Sequence, residues 1–94
     1  MPNVSYPKNR WAWVEVDLNA IRKNTRAFKA LLEPRTQMMC AVKADAYGHG
    51  AVECAKAMAS SGASQFAVAT VDEGVELRRG GVAQPILMLN ECPL

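Results

Sequence analysis

The apolar positions change period several times along the chain, and each change marks an element. Residues 11–18 alternate, with Ala12, Val14, Val16 and Leu18 on one side and Trp11, Trp13, Glu15 and Asp17 on the other, which predicts a half-buried strand. From there Leu18, Ile21, Thr25, Phe28 and Leu32 recur at steps of three and four, the spacing of one helix face, with Asp17 suited to cap the start and Pro34 to stop it. Residues 37–43 form a nearly continuous apolar run ending in Lys43, as expected of a strand covered on both faces, and Gly48 and Gly50 bound a polar loop after it. Residues 51–61 read as a helix of small residues, with Val52, Ala55 and Ala59 able to face a sheet and Gly62 closing it. Residues 66–71 and 85–90 are two further buried strands. Between them Asp72 and Glu73 open a helix that Arg78 and Arg79 end before Gly80 and Gly81, so charge complements the helix dipole at both ends.

Strands alternating with helices across short connections predict a parallel α/β sheet. Such a sheet begins either a doubly wound fold or a (β/α)₈ barrel, and a whole barrel takes about 250 residues. With 94 residues, the chain is expected to be an N-terminal piece: about three of eight TIM-barrel strands, preceded by one extra strand. Residues 1–10 are expected to be a flexible tail and residues 11–94 the first part of the barrel domain. Three strands without closure leave two unpaired edges and an apolar face, so the piece is expected to self-associate.

Composition narrows the function classes. Half the residues are apolar and about a fifth charged, and eleven basic side chains against nine acidic ones give a net charge of +2. Lys and Arg are scattered rather than striped, so no nucleic-acid partner is implied. Cys40, Cys54 and Cys92 are odd in number and widely spaced, which suits buried free thiols in a reducing compartment better than a disulfide framework or a metal site. The N-terminal residues lack the apolar core of a signal peptide, and no apolar run approaches the roughly 20 residues of a membrane span. A soluble, cytoplasmic protein is expected.

The candidate chemistry lies in residues 41–50. Strand alternation places Met39, Ala41 and Lys43 on one face and Met38, Cys40 and Val42 on the other, with the lysine at the carboxyl end of its strand, where barrel and open α/β active sites are found. An amine held in an apolar mouth favours its free base, which forms a Schiff base with an aldehyde such as that of pyridoxal phosphate. Tyr47, one tight loop on, can donate a hydrogen bond to a phosphate, and glycines let backbone approach a ligand closely. Spacing alone leaves the plainer alternatives open: a strand-end lysine that is an exposed charge, and a turn tyrosine. His49 is as well suited to cap the next helix or to bond a carboxylate as to move protons, and it is given no catalytic role.

The string Val42-Lys43-Ala44-Asp45-Ala46-Tyr47-Gly48-His49-Gly50 resembles the pyridoxal-phosphate attachment motif of bacterial alanine racemases. Residues 13–21 are similar to that family's opening strand and helix. Phe66 through Thr70, Glu73, Glu76-Leu77-Arg78 and Pro85-Ile86-Leu87 are similar to its second and third barrel strands and the helix between them. The resemblance implies a fold type III enzyme that interconverts L- and D-alanine for peptidoglycan precursors, with pyridoxal 5'-phosphate held covalently by Lys43. Lys43 would also act as a base on the Cα–H of D-alanine, and Tyr47 would bond the cofactor phosphate. Asp45 stands where Asn or Asp is usual. The family's opposite base is a tyrosine of the partner subunit in a homodimer. That tyrosine, the arginine meeting the pyridine nitrogen and the later phosphate loops are not in these residues, so the 94 residues alone are expected not to racemise. The resemblance leaves two relatives as alternatives, a racemase of serine or another amino acid and a non-catalytic pyridoxal-phosphate-binding barrel protein. Outside it stands a small α/β interaction domain with an exposed Lys43.

Overall fold

The computed structural model describes residues 15–90. The tail at residues 1–10, Cys92 and most of the strand expected at residues 11–18 lie outside that range, and residues 15–17 run without regular structure into the first helix. In chain order the described residues form α1 (Leu18–Leu31), β1 (Met39–Ala41), α2 (Lys43–Gly48), α3 (Ala51–Ala59), β2 (Gln65–Val68), α4 (Val71–Arg79) and β3 (Ile86–Met88).

Helix α1 begins where the period changes because the Asp17 carboxylate accepts from the backbone N–H groups of Asn19, at 3.0 Å, and Ala20, at 3.2 Å. Leu18 and Ile21 pack against the core and Thr25 is buried, its hydroxyl donating to the Ile21 carbonyl at 2.8 Å. The apolar stripe is only half used. Phe28 is 67 % exposed and Leu31 81 % exposed, although α1 rests on α3.

The three strands are parallel and lie in the order β1-β2-β3, with Cys40 opposite Phe66 and Phe66 opposite Ile86. Parallel neighbours cannot be joined by tight turns, and the crossovers carry α3 and α4. Val42, Phe66 and Val68 meet Cys54 and Ala55 of α3 and Leu77 of α4 in one buried cluster, which Cys40 and Ile86 flank. The alternate positions Met39, Leu87 and Leu89 are largely exposed, whereas Ala67, between Ala41 and Leu87 in the register, is buried. The expectation of strands covered on both faces is therefore half met: helices cover one face, and the described residues supply no second layer.

The end of α4 lies close over α3. A Cβ placed on Gly80 would come within 2.5 Å of Val52 Cγ1, so glycine there permits the approach. Residues 70–73 form a capping box, in which the Thr70 hydroxyl accepts from the Glu73 N–H at 3.2 Å while the Glu73 carboxylate accepts from the Thr70 N–H at 3.0 Å.

Candidate active site at the end of strand β1

Strand β1 is shorter than the apolar run that announces it. Its last ladder contact is the Val42 N–H donating to the Ala67 carbonyl at 2.9 Å, and Val42 has already left the extended region at φ −123° and ψ 24°. Strict alternation therefore does not reach Lys43, which is the first residue past the ladder. Lys43 is half-buried at the carboxyl end of β1, beside the fully buried Val42.

The segment after Lys43 is not the irregular polar loop expected from Gly48 and Gly50. Ala44, Asp45, Ala46 and Tyr47 have φ of 51°, 56°, 54° and 55° with ψ between 37° and 46°, one turn of left-handed helix built from residues with side chains. Each such residue costs roughly 1–2 kcal/mol relative to the right-handed form, so the turn stands only if its surroundings hold it. Ala46 is buried in the core, and its N–H donates to the Val42 carbonyl at 3.0 Å. At the far end the Gly50 N–H donates to the Asp45 carbonyl at 2.9 Å.

Asp45 has a second task. Gly50, at the N-cap of α3, has no side chain with which to satisfy the free N–H groups there, and Asp45 Oδ1 accepts from the Ala51 N–H at 2.8 Å in its place. Among the described residues the His49 ring neither caps α3 nor bonds a carboxylate. Its Nδ1 lies 3.0 Å from the Ala46 carbonyl, which can only accept, so Nδ1 carries the proton.

At the opposite end of the turn sits a residue whose sequence position marks it only as a helix opener. Glu73 Oε2 accepts from the Ala44 N–H at 2.6 Å, across 29 residues of chain, while Oε1 accepts from the N–H groups of Ala69 at 2.7 Å and Thr70 at 3.0 Å. The Ala69 N–H bond holds the carboxyl below the usual glutamate range. Burial opposes this, and the bonds from Ala44, the Thr70 N–H and the Thr70 hydroxyl add to the lowering. The Thr-x-x-Glu spacing at residues 70–73 signals the capping box, but no local signal announces the bond to Ala44.

Tyr47 is 60 % exposed and, with Ile21, Ala41, His49 and Met58, lines an open, mainly apolar hollow of about 220 Å³. Lys43 does not line it. Cys54 also borders the hollow, its thiol donating to the His49 carbonyl at 3.4 Å. Burial, reinforced by the charges of Asp45 and Glu53, pushes the Cys54 thiol up, and burial alone does the same to Cys40. Both stay protonated near neutrality and are poor nucleophiles. Among the described residues no group of three or more His, Cys, Asp or Glu side chains is gathered to hold a metal ion.

Comparison with known proteins agrees with this geometry. The alanine racemase N-terminal domain family matches residues 16–94. The alanine racemase of Nostoc sp. is 55 % identical over 78 residues, covering 83 % of this chain and 20 % of that protein, and that of Synechocystis sp. is 50 % identical over 78 residues, covering 83 % and 21 %. Among solved structures, alanine racemase from Bacillus anthracis with bound L-Ala-P superposes with a TM-score of 0.89 at 42 % identity, over 94 % of this chain and 23 % of that one. The enzyme from Clostridium difficile 630 gives 0.86 at 41 % identity, over 93 % and 23 %. The chain spans about a fifth of the length of the relatives it matches, and the three parallel strands with their helices are the N-terminal segment of an α/β barrel. On a match covering most of its residues and the same fold, the chain belongs to the alanine racemase family.

Proposed function

We propose that Lys43 is the attachment point for pyridoxal 5'-phosphate and that this chain supplies one face of an alanine racemase active site. The family is pyridoxal-phosphate-dependent. The observation that carries the proposal is the position of Lys43, half-buried and immediately past the last ladder bond of β1, at the carboxyl end of a parallel sheet.

The residues present suit the cofactor. Lys43 offers an amine for its aldehyde and Tyr47, four residues on, an exposed phenol for its phosphate. A Cβ on Gly48 or Gly50 would meet nothing within 4 Å, so that flank of the turn is open to a bulky group. When bound, the cofactor supplies the electron sink that lets a proton leave an amino acid's Cα. Once the substrate's amine displaces it from the cofactor, Lys43 Nζ would be free to accept the Cα proton on one face of the substrate, or to donate it there in the reverse direction, and Tyr47 would fix the phosphate by donating from its hydroxyl.

Racemisation needs a second base on the opposite face of the substrate. By the family resemblance a partner subunit provides it, in a homodimer of the complete enzyme, and residues 11–94 are the first part of the barrel domain behind a tail at residues 1–10. Alanine is the substrate that the names of the relatives favour. Among the described residues no helix is long and apolar enough to cross a membrane, and the free thiols of Cys40 and Cys54 suit a reducing compartment such as the cytoplasm.

Absorbance titration with pyridoxal phosphate tests the attachment. The chain should develop an imine band that Lys43→Ala abolishes and that Tyr47→Phe retains at roughly tenfold weaker affinity, the worth of a hydrogen bond to a charged group. A band of equal strength in Lys43→Ala would refute the assignment.

A further inference from the structure

We propose that Glu73 is a positioning residue for Lys43: its two carboxylate oxygens tie the left-handed turn that follows the lysine to the loop after β2. The inference deepens the reading of Lys43 as the cofactor-bearing lysine and rests on it.

The two oxygens divide the labour. Oε1 serves the loop after β2, accepting from Ala69 and Thr70, while Oε2 alone reaches across to Ala44. Ala44 directly follows Lys43, so this bond fixes the peptide unit through which the lysine enters the turn. The Ala44 N–H distance of 2.6 Å is that of a strong charge-assisted bond. Residues 44–47 lie in a backbone region that alanine and tyrosine rarely visit, and the far end of the turn is anchored by Gly50 and Ala51 on Asp45. Without the Glu73 bond the near end, where Lys43 sits, would rest on the bond from the Ala46 N–H to the Val42 carbonyl. The same carboxylate thereby sets the ends of β1 and β2 relative to each other at the point where ligands bind in this class of sheet.

A glutamine in place of Glu73 separates the two roles. It has one acceptor oxygen, which can stay in the capping box as glutamine does in other helices, while its amide NH₂ cannot accept from Ala44. In the 94-residue chain, Glu73→Gln should leave the amides of α4 protected and accelerate exchange of the Ala44 amide by roughly tenfold to a hundredfold, the factor a hydrogen bond to a charged acceptor is worth. The scalar couplings of residues 44–47 should move away from left-handed values. The share of reductively trapped pyridoxal phosphate found on Lys43, compared with the other lysines, should fall by a similar factor.

Unchanged Ala44 exchange and unchanged couplings would overturn the clamp. An unchanged Lys43 share despite a deprotected Ala44 would overturn the positioning role. If the unaltered chain shows no preference for Lys43, the cofactor reading fails by itself, and the proposed positioning of Lys43 for that cofactor falls with it even where the amide and coupling data confirm the bond.

Discussion

Asp45 carries two bonds, its carbonyl accepting from Gly50 and its carboxylate from Ala51 at the start of α3. Asp45→Ala should cost about 1 kcal/mol, the usual loss for a helix cap, in chemical denaturation, whereas Asp45→Asn keeps an acceptor and should stay within a few tenths of the unaltered chain. Glu73 gives stability its acid dependence. Its folded-state pKa is depressed by N–H donors, so its contribution is complete above the ordinary glutamate pKa and disappears as pH falls through the lower, folded value. Stability of the chain should therefore decline on acidification from mildly acid conditions downward, and Glu73→Gln should flatten that limb. An identical acid limb in the variant would mean that the Glu73 bonds are not formed in solution.

At this scale Lys43 and Asp17 are legible in the sequence because their signals are local: an apolar run that ends in an amine, and a carboxylate just before a helical period. The bond from Ala44 to Glu73 is not, since it joins residues 29 apart and depends on how β1 and β2 lie side by side.

Among elements, the sequence foretells order and type better than extent. Apolar runs of six or seven residues become ladders of three or four, because pairing ends where backbone turns away even when side chains stay apolar, as at Val42. The left-handed course of α2 is hidden by composition: alanine and tyrosine are not residues that announce positive φ, and only tertiary anchors make it stable there. The α1 stripe overstates burial at Phe28, since periodicity identifies a face without saying how much of it is covered. The contact of α4 with α3 depends on Gly80. Gly80→Ala should destabilise by about 1–3 kcal/mol in urea denaturation, because Val52 is β-branched and cannot swing aside from the added methyl.

For the whole molecule, alternating elements predict a parallel sheet with helical crossovers, and the sheet has that form. Among the described residues, β1 and β3 each lack a neighbour on one side, and Met39, Leu87 and Leu89 are exposed. Unpaired edges beside an apolar face favour association. Light scattering of the 94-residue chain should show concentration-dependent oligomers, and a monomer at high concentration would contradict this. On the proposed role of Lys43, which gives a base for one face of the substrate, the chain by itself should also fail to convert L-alanine to D-alanine.

Everything proposed for this chain depends on one lysine, at the end of β1, being set apart for the cofactor. The chain has five lysines, Lys8, Lys23, Lys29, Lys43 and Lys56, which makes the comparison internal. Incubation with pyridoxal phosphate, borohydride reduction and peptide mass mapping measure where the adduct forms. Most of it should lie on Lys43. An adduct spread over the five lysines with none favoured would contradict the assignment.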